Sequence, residues 1–67
     1  MTWEEFKQKA KKIGCEDGID PIHDSIILDN LIFYKGGWIY IVNNREEYLI
    51  SSGRTNDQMW QIIEALT

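Results

Sequence analysis

Residues 25–51 read SIILDNLIFYKGGWIYIVNNREEYLIS, and this stretch decides the fold. β-Branched and aromatic side chains dominate four short runs within it, which is typical of β-strands. The runs are separated by Asp-Asn, Lys-Gly-Gly and Asn-Asn-Arg-Glu, whose residue types tolerate positive φ and favour tight turns. We therefore predict an antiparallel meander with strands at 25–28, 31–34, 38–42 and 48–51.

The break at Asp29-Asn30 admits two interpretations. As a two-residue turn, it joins two separate strands. As a bulge, it lies within one long strand. The sheet then has four strands in the first case and three in the second.

A helix is predicted on the N-terminal side of the strands, over residues 2–13. Its apolar residues recur at helical spacing, and Thr2 with Glu5 matches a capping box, in which each side chain pairs with a free backbone N–H of the first turn. Glutamates open the segment and lysines close it, an order that complements the helix dipole.

A second helix is predicted over residues 56–66. Thr55 and Gln58 give another capping box, and Met59, Ile62, Ile63 and Leu66 fall at i, i+3, i+4 and i+7. The order of elements is one helix, three or four strands and one helix. It indicates a single α+β domain, residues 1–67, with the helices packed on an antiparallel sheet.

Neither face of the predicted sheet is polar. Trp38, Tyr40 and Val42 point to one side, and Ile39 and Ile41 to the other. An antiparallel sheet with one wet face normally alternates apolar and polar residues, so this sheet needs cover on both faces. The two short helices are one source of cover, and a second copy of the chain is the other.

The size of the chain also favours self-association. A domain of 67 residues buries only about 60% of its unfolded surface, and small domains often rely on disulfides, a metal or a partner. One Cys cannot form an internal disulfide, and one Cys with one His cannot complete a structural zinc site. We therefore predict a homo-oligomer with neither metal nor cofactor.

Composition excludes several classes of protein. The net charge of −4 disfavours binding to duplex nucleic acid by bulk charge. No apolar run approaches the roughly 20 residues of a membrane span, and no signal peptide is visible. The lone Cys fits a reducing compartment, so a cytoplasmic location is predicted. The charge is uneven, because residues 1–14 have four Lys against two Glu, whereas the remainder has three cations against nine carboxylates.

The strongest local candidate for a site is the turn that enters the second helix. Ser52, Gly53, Arg54 and Thr55 offer two hydroxyls, a guanidinium and a flexible backbone beside a helix N-terminus. Such groups suit a phosphate or carboxylate. The alternative is an ordinary strand-to-helix turn in which Thr55 caps the helix.

Aromatic residues supply candidates for stacking. Eight aromatic side chains in so small a chain exceed what its core can readily bury, and the ones left outside can stack on a flat ligand. We take Trp38, Tyr40 and Trp60 as the candidates. A ring near Arg54 would hold a nucleotide by its base while the turn holds the phosphate.

Catalysis has weaker support. Cys15 and His23 both lie in a polar connection over residues 15–24. Ile19 and Ile22 of the same connection are expected to pack beneath it. A thiol–imidazole pair is geometrically possible there. No spacing rule favours it, and we predict that the protein is not an enzyme.

Two terminal segments resemble small proteins carried by phages and prophages of Gram-positive bacteria. They are MTWEEF at residues 1–6 and RTNDQMWQIIEAL at residues 54–66, about a quarter of the chain. The resemblance implies a host-modulating role, such as capture of a nucleotide immune signal or blocking of a defence protein. It assigns no functional residue.

Three functions remain as hypotheses. The first is a non-catalytic protein that sequesters a nucleotide-derived ligand. The second is an acidic inhibitor that binds a host defence protein and carries acidic residues such as Glu46 and Glu47 on its surface. The third is a structural interaction domain without a ligand.

Overall fold

The computed structural model describes all 67 residues and contains two helices and one five-stranded antiparallel sheet. The strands lie side by side in chain order, which confirms the predicted α+β meander. The additional strand is the two-residue segment Glu16–Asp17, which lies in the polar connection. It pairs with the first of the predicted strands, Ser25–Leu28. The elements are α1 (Trp3–Lys12), β1 (Glu16–Asp17), β2 (Ser25–Leu28), β3 (Leu31–Tyr34), β4 (Trp38–Asn43), β5 (Glu46–Ser51) and α2 (Asn56–Leu66).

The turns between strands follow from residues that accept a left-handed backbone. Leu28 pairs with Leu31, so Asp29-Asn30 is a two-residue turn with Asp29 at φ 52°, and the bulge interpretation is wrong. The β4–β5 turn has Asn44 at φ 52° and Arg45 at φ 67°, as a type I′ hairpin requires.

Both helices begin at the predicted capping boxes. Thr2 accepts a hydrogen bond from the backbone of Glu5, and Thr55 accepts one from the backbone of Gln58. Both reciprocal bonds are also present, so two free N–H groups are satisfied at each helix start. Neither helix has the length and apolar character needed to cross a membrane.

The two helices pack on the same face of the sheet. Ile26, Phe33 and Ile39 lie in register across β2, β3 and β4 and form a buried row on that face. Phe6 and Met59 cover the row from the two helices, and both are fully buried. Close packing of this kind supplies most of the hydrophobic stabilisation of a small domain.

The opposite face carries a second set of apolar residues that no helix covers. Ile32 on β3 lies opposite Tyr40 on β4, and Tyr34 lies opposite Trp38. Only Ile32 is buried among them, while Trp38 remains 45% exposed. The connection between β1 and β2 lies against part of this face and leaves the aromatic end open. We call this surface the open face.

The β3–β4 turn contacts the segment before α2 through Gly37. The backbone N–H of Arg54 donates to the carbonyl of Gly37 at 3.1 Å. Gly37 has φ 96°, and a Cβ there would lie 2.2 Å from the carbonyl oxygen of Arg54. Glycine is therefore required both for the backbone conformation and for the close approach.

We expect Gly37→Ala to destabilise the protein strongly. Gly14→Ala is the matched control, because Gly14 also has positive φ (103°) but has open space around the position of a Cβ. The control should cost about 1–2 kcal/mol for the left-handed backbone alone. Gly37→Ala should cost about 1–3 kcal/mol more for the steric conflict, measured by urea denaturation. Equal losses in the two variants would contradict the close approach.

Candidate functional site

The open face contains a cleft of about 410 Å³ beside three aromatic side chains. Tyr34, Trp38 and Tyr40 form its apolar wall, and three polar side chains complete the lining: Asp20, His23 and Glu47. We call this site the aromatic cleft. Its volume falls in the range of small-molecule sites, which combine aromatic walls with a few polar groups.

Strand pairing brings the three rings together. Tyr34 and Trp38 are cross-strand partners on either side of the three-residue turn, so their side chains leave the sheet on the same face. Tyr40 follows Trp38 by two positions and therefore shares that face. The rings of Tyr34 and Tyr40 meet edge to face, with centroids 5.3 Å apart and planes at 77°. Trp38 lies beside this pair and remains partly exposed.

Glu47 joins the cleft from β5, where it pairs with Val42. Its Oε1 accepts a hydrogen bond from the hydroxyl of Tyr34 at 3.0 Å. Partial burial of the phenol, together with this bond, raises the pKa of Tyr34 to about 12, so the hydroxyl stays protonated and continues to donate. The other oxygen of Glu47, Oε2, has no hydrogen-bond partner within the protein and is free for a ligand.

Asp20 and His23 reach the cleft from the connection between β1 and β2. Asp20 Oδ1 accepts from the backbone N–H groups of Ile22 and His23, and Oδ2 lies 3.1 Å from His23 Nδ1. These bonds, led by the one from Ile22, lower the pKa of Asp20. The imidazole meets the ring of Tyr34 edge on at 6.3 Å. The loop therefore presents an ordered wall to the cleft.

Asp24 fixes the end of this loop to α1. Its Oδ2 accepts from the indole Nε1 of Trp3 at 2.8 Å and from the ammonium of Lys7 at 2.9 Å. The bond from Lys7, followed by that from Trp3, lowers the pKa of the Asp24 carboxyl. Asp24 thus connects the placement of Asp20 and His23 to the helix layer on the other side of the sheet.

The turn before α2 forms a second, shallower site of about 470 Å³. Arg54 Nε donates to Ser51 Oγ at 2.7 Å, and Thr55 Oγ1 is occupied by the capping box. Lys35 and Gly36 line the same depression from the β3–β4 turn. Asp57 also lines the depression, where its carboxylate is paired with the N-terminal ammonium of Met1. The cationic side chains of Lys35 and Arg54 therefore leave this depression positive, and we call this site the basic turn.

The aromatic cleft and the basic turn adjoin at one residue pair. Gly36 lines the basic turn, and its backbone lies so close to the indole of Trp38 that a Cβ would come within 2.9 Å of Cζ3. Trp38 in turn lines the cleft. The two depressions thus lie on either side of the contact between Trp38 and Gly36.

The structure brings together some of the sequence-predicted residues and separates others. Trp38 and Tyr40 line the cleft, whereas Arg54 and Thr55 line the basic turn. Ser52 and Gly53 are exposed in the same turn but line neither depression. Trp60 lies apart from both, on α2, where it packs against the core and has the Lys9 ammonium 5.5 Å from its ring centroid.

Four residues of the cleft were not predicted from the sequence as ligand-binding residues: Asp20, His23, Tyr34 and Glu47. Pairing across the Lys-Gly-Gly turn would have placed Tyr34 beside Trp38. Glu47 was missed because the predicted strand began at residue 48, while β5 begins at Glu46. Nothing in the local sequence places Asp20 and His23, because contacts between Asp24 and α1 position their loop.

The Cys15–His23 pair does not form. Cys15 is buried in the core beneath the helices, whereas His23 lies on the open face. Burial raises the pKa of the Cys15 thiol, which disfavours the nucleophilic thiolate. No group of three or more His, Cys, Asp or Glu side chains is arranged to hold a metal ion. Ile19 and Ile22 are not tucked in, since they are 94% and 82% exposed.

Comparisons with protein-family models, with curated proteins and with solved structures find no match to this chain. The case for a function therefore depends on the cleft and the basic turn.

Replacement of Asp24 tests whether the loop is held from α1. Because the native pKa of Asp24 is depressed, its contribution to stability is present above its unfolded pKa of about 4 and is lost as the pH falls through the native value. We expect Asp24→Asn to cost about 1 kcal/mol at pH 7, a modest value for a partly exposed group, and to cost less at pH 2. Chemical denaturation at both pH values measures the difference.

Asp29→Asn is the control for this measurement. Asp29 is exposed, accepts no side-chain hydrogen bond and occupies a left-handed turn position that Asn also accepts. It should show no such pH-dependent loss. A loss of stability in Asp24→Asn that persists undiminished at pH 2 would contradict the role of the carboxylate.

Proposed function

We propose that this protein is a non-catalytic binding protein that sequesters a small nucleotide-derived ligand. The observation that carries the proposal is the contact between Trp38 and Gly36, which joins an aromatic cleft to a turn with two cationic side chains. A nucleotide has a flat base and an anionic phosphate a few ångströms away. The two adjoining depressions match these two parts.

In this arrangement the base stacks in the cleft on Trp38. The sugar passes the contact at which the indole of Trp38 lies against the backbone of Gly36. The phosphate then meets Lys35 and Arg54. Arg54 uses only Nε in its bond to Ser51, so its two terminal amino groups remain for the phosphate. Stacking on an aromatic side chain contributes about 1–3 kcal/mol per base.

The resemblance to small phage and prophage proteins supports a biological setting for this activity. A protein of that kind acts in the host cytoplasm, and a captured nucleotide there is an immune signal. On this proposal the protein is an anti-defence factor that withholds the signal from its receptor. Sequestration needs binding groups alone, which is what the cleft and the turn provide.

Self-association is part of the proposal, and β5 supports it. This strand is the edge of the sheet and pairs only with β4. Tyr48, Leu49 and Ile50 follow one another along it, and each is about half exposed. An apolar edge strand with free backbone groups is a ready surface for pairing with another chain. A second copy that pairs along β5 would extend the sheet and the open face together.

A thermal-shift screen against nucleotides and cyclic nucleotide signals tests the proposal, beside a measurement of native mass. A ligand at about 100 times its Kd stabilises the folded state by about 2.7 kcal/mol. In so small a domain this raises Tm by about 10 °C or more. The native mass should be at least twice the 7.9 kDa of one chain, and the ligand released by denaturation should be chemically unchanged.

Two variants connect this result to the site. Trp38→Ala removes the stacking surface and Arg54→Glu reverses the charge at the basic turn, so each should abolish the thermal shift. Lys12→Glu is the control, because it makes the same change of charge at an exposed position on α1. Nucleotide binding that calorimetry finds unchanged in Arg54→Glu would refute the proposed phosphate site, and a chemically altered ligand would indicate an enzyme.

A protein target is the second candidate function. Asp20 and Glu47 place carboxylates beside the aromatic rings, and the exposed Ile19 and Ile22 lie on the adjacent loop. An acidic surface with apolar neighbours suits a basic groove on another protein, and it would make this chain an inhibitor of a defence effector.

If the target is a protein, the expected experimental results are different. Nucleotides should then cause no thermal shift. The double reversal Glu46→Lys with Glu47→Lys should abolish inhibition in an assay of the defence effector, because it removes the complementary charge. Inhibition that survives the double reversal would exclude the acidic surface as the site of contact.

A further inference from the structure

The aromatic cleft contains negative charge as well as aromatic rings. Asp20 and Glu47 both line it, and neither is paired there with Lys or Arg. Aromatic faces are also negative, because the ring quadrupole concentrates electron density above the plane. A neutral base would gain stacking in this cleft and could donate an N–H to a carboxylate, but it would gain neither charge–charge attraction nor a cation–π contact.

Glu47 is the carboxylate best placed to meet a ligand. The oxygens of Asp20 are occupied by two backbone N–H groups and by His23. Glu47 uses Oε1 to accept from Tyr34 and keeps Oε2 free. The bond from Tyr34 also fixes the carboxylate over the cleft, so its charge is held where a bound ring would lie.

The cations of the site lie on the other side of Trp38. Lys35 and Arg54 line the basic turn, and neither of them lines the aromatic cleft. Arg45 lines the adjoining depression beneath the loop together with Asp20 and Glu47, but it forms no ion pair with either and does not line the cleft. The combined site is therefore negative at the end that stacks a ring and positive at the end that holds a phosphate. A ligand with the opposite distribution of charge would match both ends.

We propose that the nucleotide taken by this site has a cationic ring, such as a pyridinium or an N-alkylated purine. This inference rests on the proposed function, since it names the chemistry of the base bound in the same cleft. The positive ring stacks on Trp38 in a cation–π contact and lies against the free oxygen of Glu47. Its phosphate meets Lys35 and Arg54 at the basic turn.

Matched pairs of ligands that differ in ring charge test the inference by calorimetry on the full chain. Nicotinamide mononucleotide has a pyridinium ring, and its reduced form has a neutral one with the same sugar and phosphate. 7-Methylguanosine monophosphate and guanosine monophosphate form a second pair. In each pair we expect the cationic member to bind about tenfold more tightly, the scale of a cation–π contact aided by a carboxylate.

Glu47→Gln should remove this preference. The amide can still accept from Tyr34 but has no charge, so the affinity ratio within each pair should fall towards one. Glu46→Gln is the matched control, because Glu46 is the adjacent residue on β5, points to the other face and bonds the Tyr48 hydroxyl. The control should keep the full ratio.

The outcomes separate this inference from the function on which it rests. If both members of each pair bind equally well to the unaltered protein, the cationic ring is refuted and nucleotide binding stands. If no nucleotide binds at all, both proposals fail. If a trimethyl-lysine peptide binds as tightly as the cationic nucleotides and does so equally in Arg54→Glu, the cleft serves a protein side chain and the inference is overturned.

Discussion

The packing of Phe6 and Met59 onto the row formed by Ile26, Phe33 and Ile39 determines the rest of the structure. Both helices pack on this one face of the sheet, and the chain has no third helix to cover the other face. The opposite face is equally rich in apolar residues and is left to a loop. The aromatic cleft is a direct consequence, since its rings would be core in a larger protein with a second layer.

The helix layer also positions part of the open face, because the connection between β1 and β2 contacts both. Asp24 receives hydrogen bonds from Trp3 and Lys7 on α1, while Asp20 and His23 in the same loop meet Tyr34 across the cleft. One short segment therefore connects the folding core to the candidate site. A substitution that weakens the packing of α1 should therefore alter the positions of Asp20 and His23, although no residue of α1 lines the cleft.

Negative and positive side chains are separated on the surface around Trp38, although the net charge of the chain is small. Carboxylates lie beside the aromatic rings, and Lys35 and Arg54 lie at the turn beyond Trp38. On the proposed function, these opposite charges select the orientation of the ligand as well as its affinity, because a ligand placed the wrong way round meets repulsion at both ends.

The sequence by itself determined both helices, four of the five strands and their order. Capping boxes at Thr2 and Thr55 and the turn at Asn44 act through bonds between near neighbours, so they can be predicted without the fold. The two-residue strand β1 and the choice between turn and bulge at Asp29 needed the structure. Only the tertiary structure decided that both helices lie on one face. It also decided that Trp60 stays apart from Trp38 and Tyr40, and that Asp20 and Glu47 join them. These outcomes depend on contacts between residues far apart in the chain, for which local patterns have no signal.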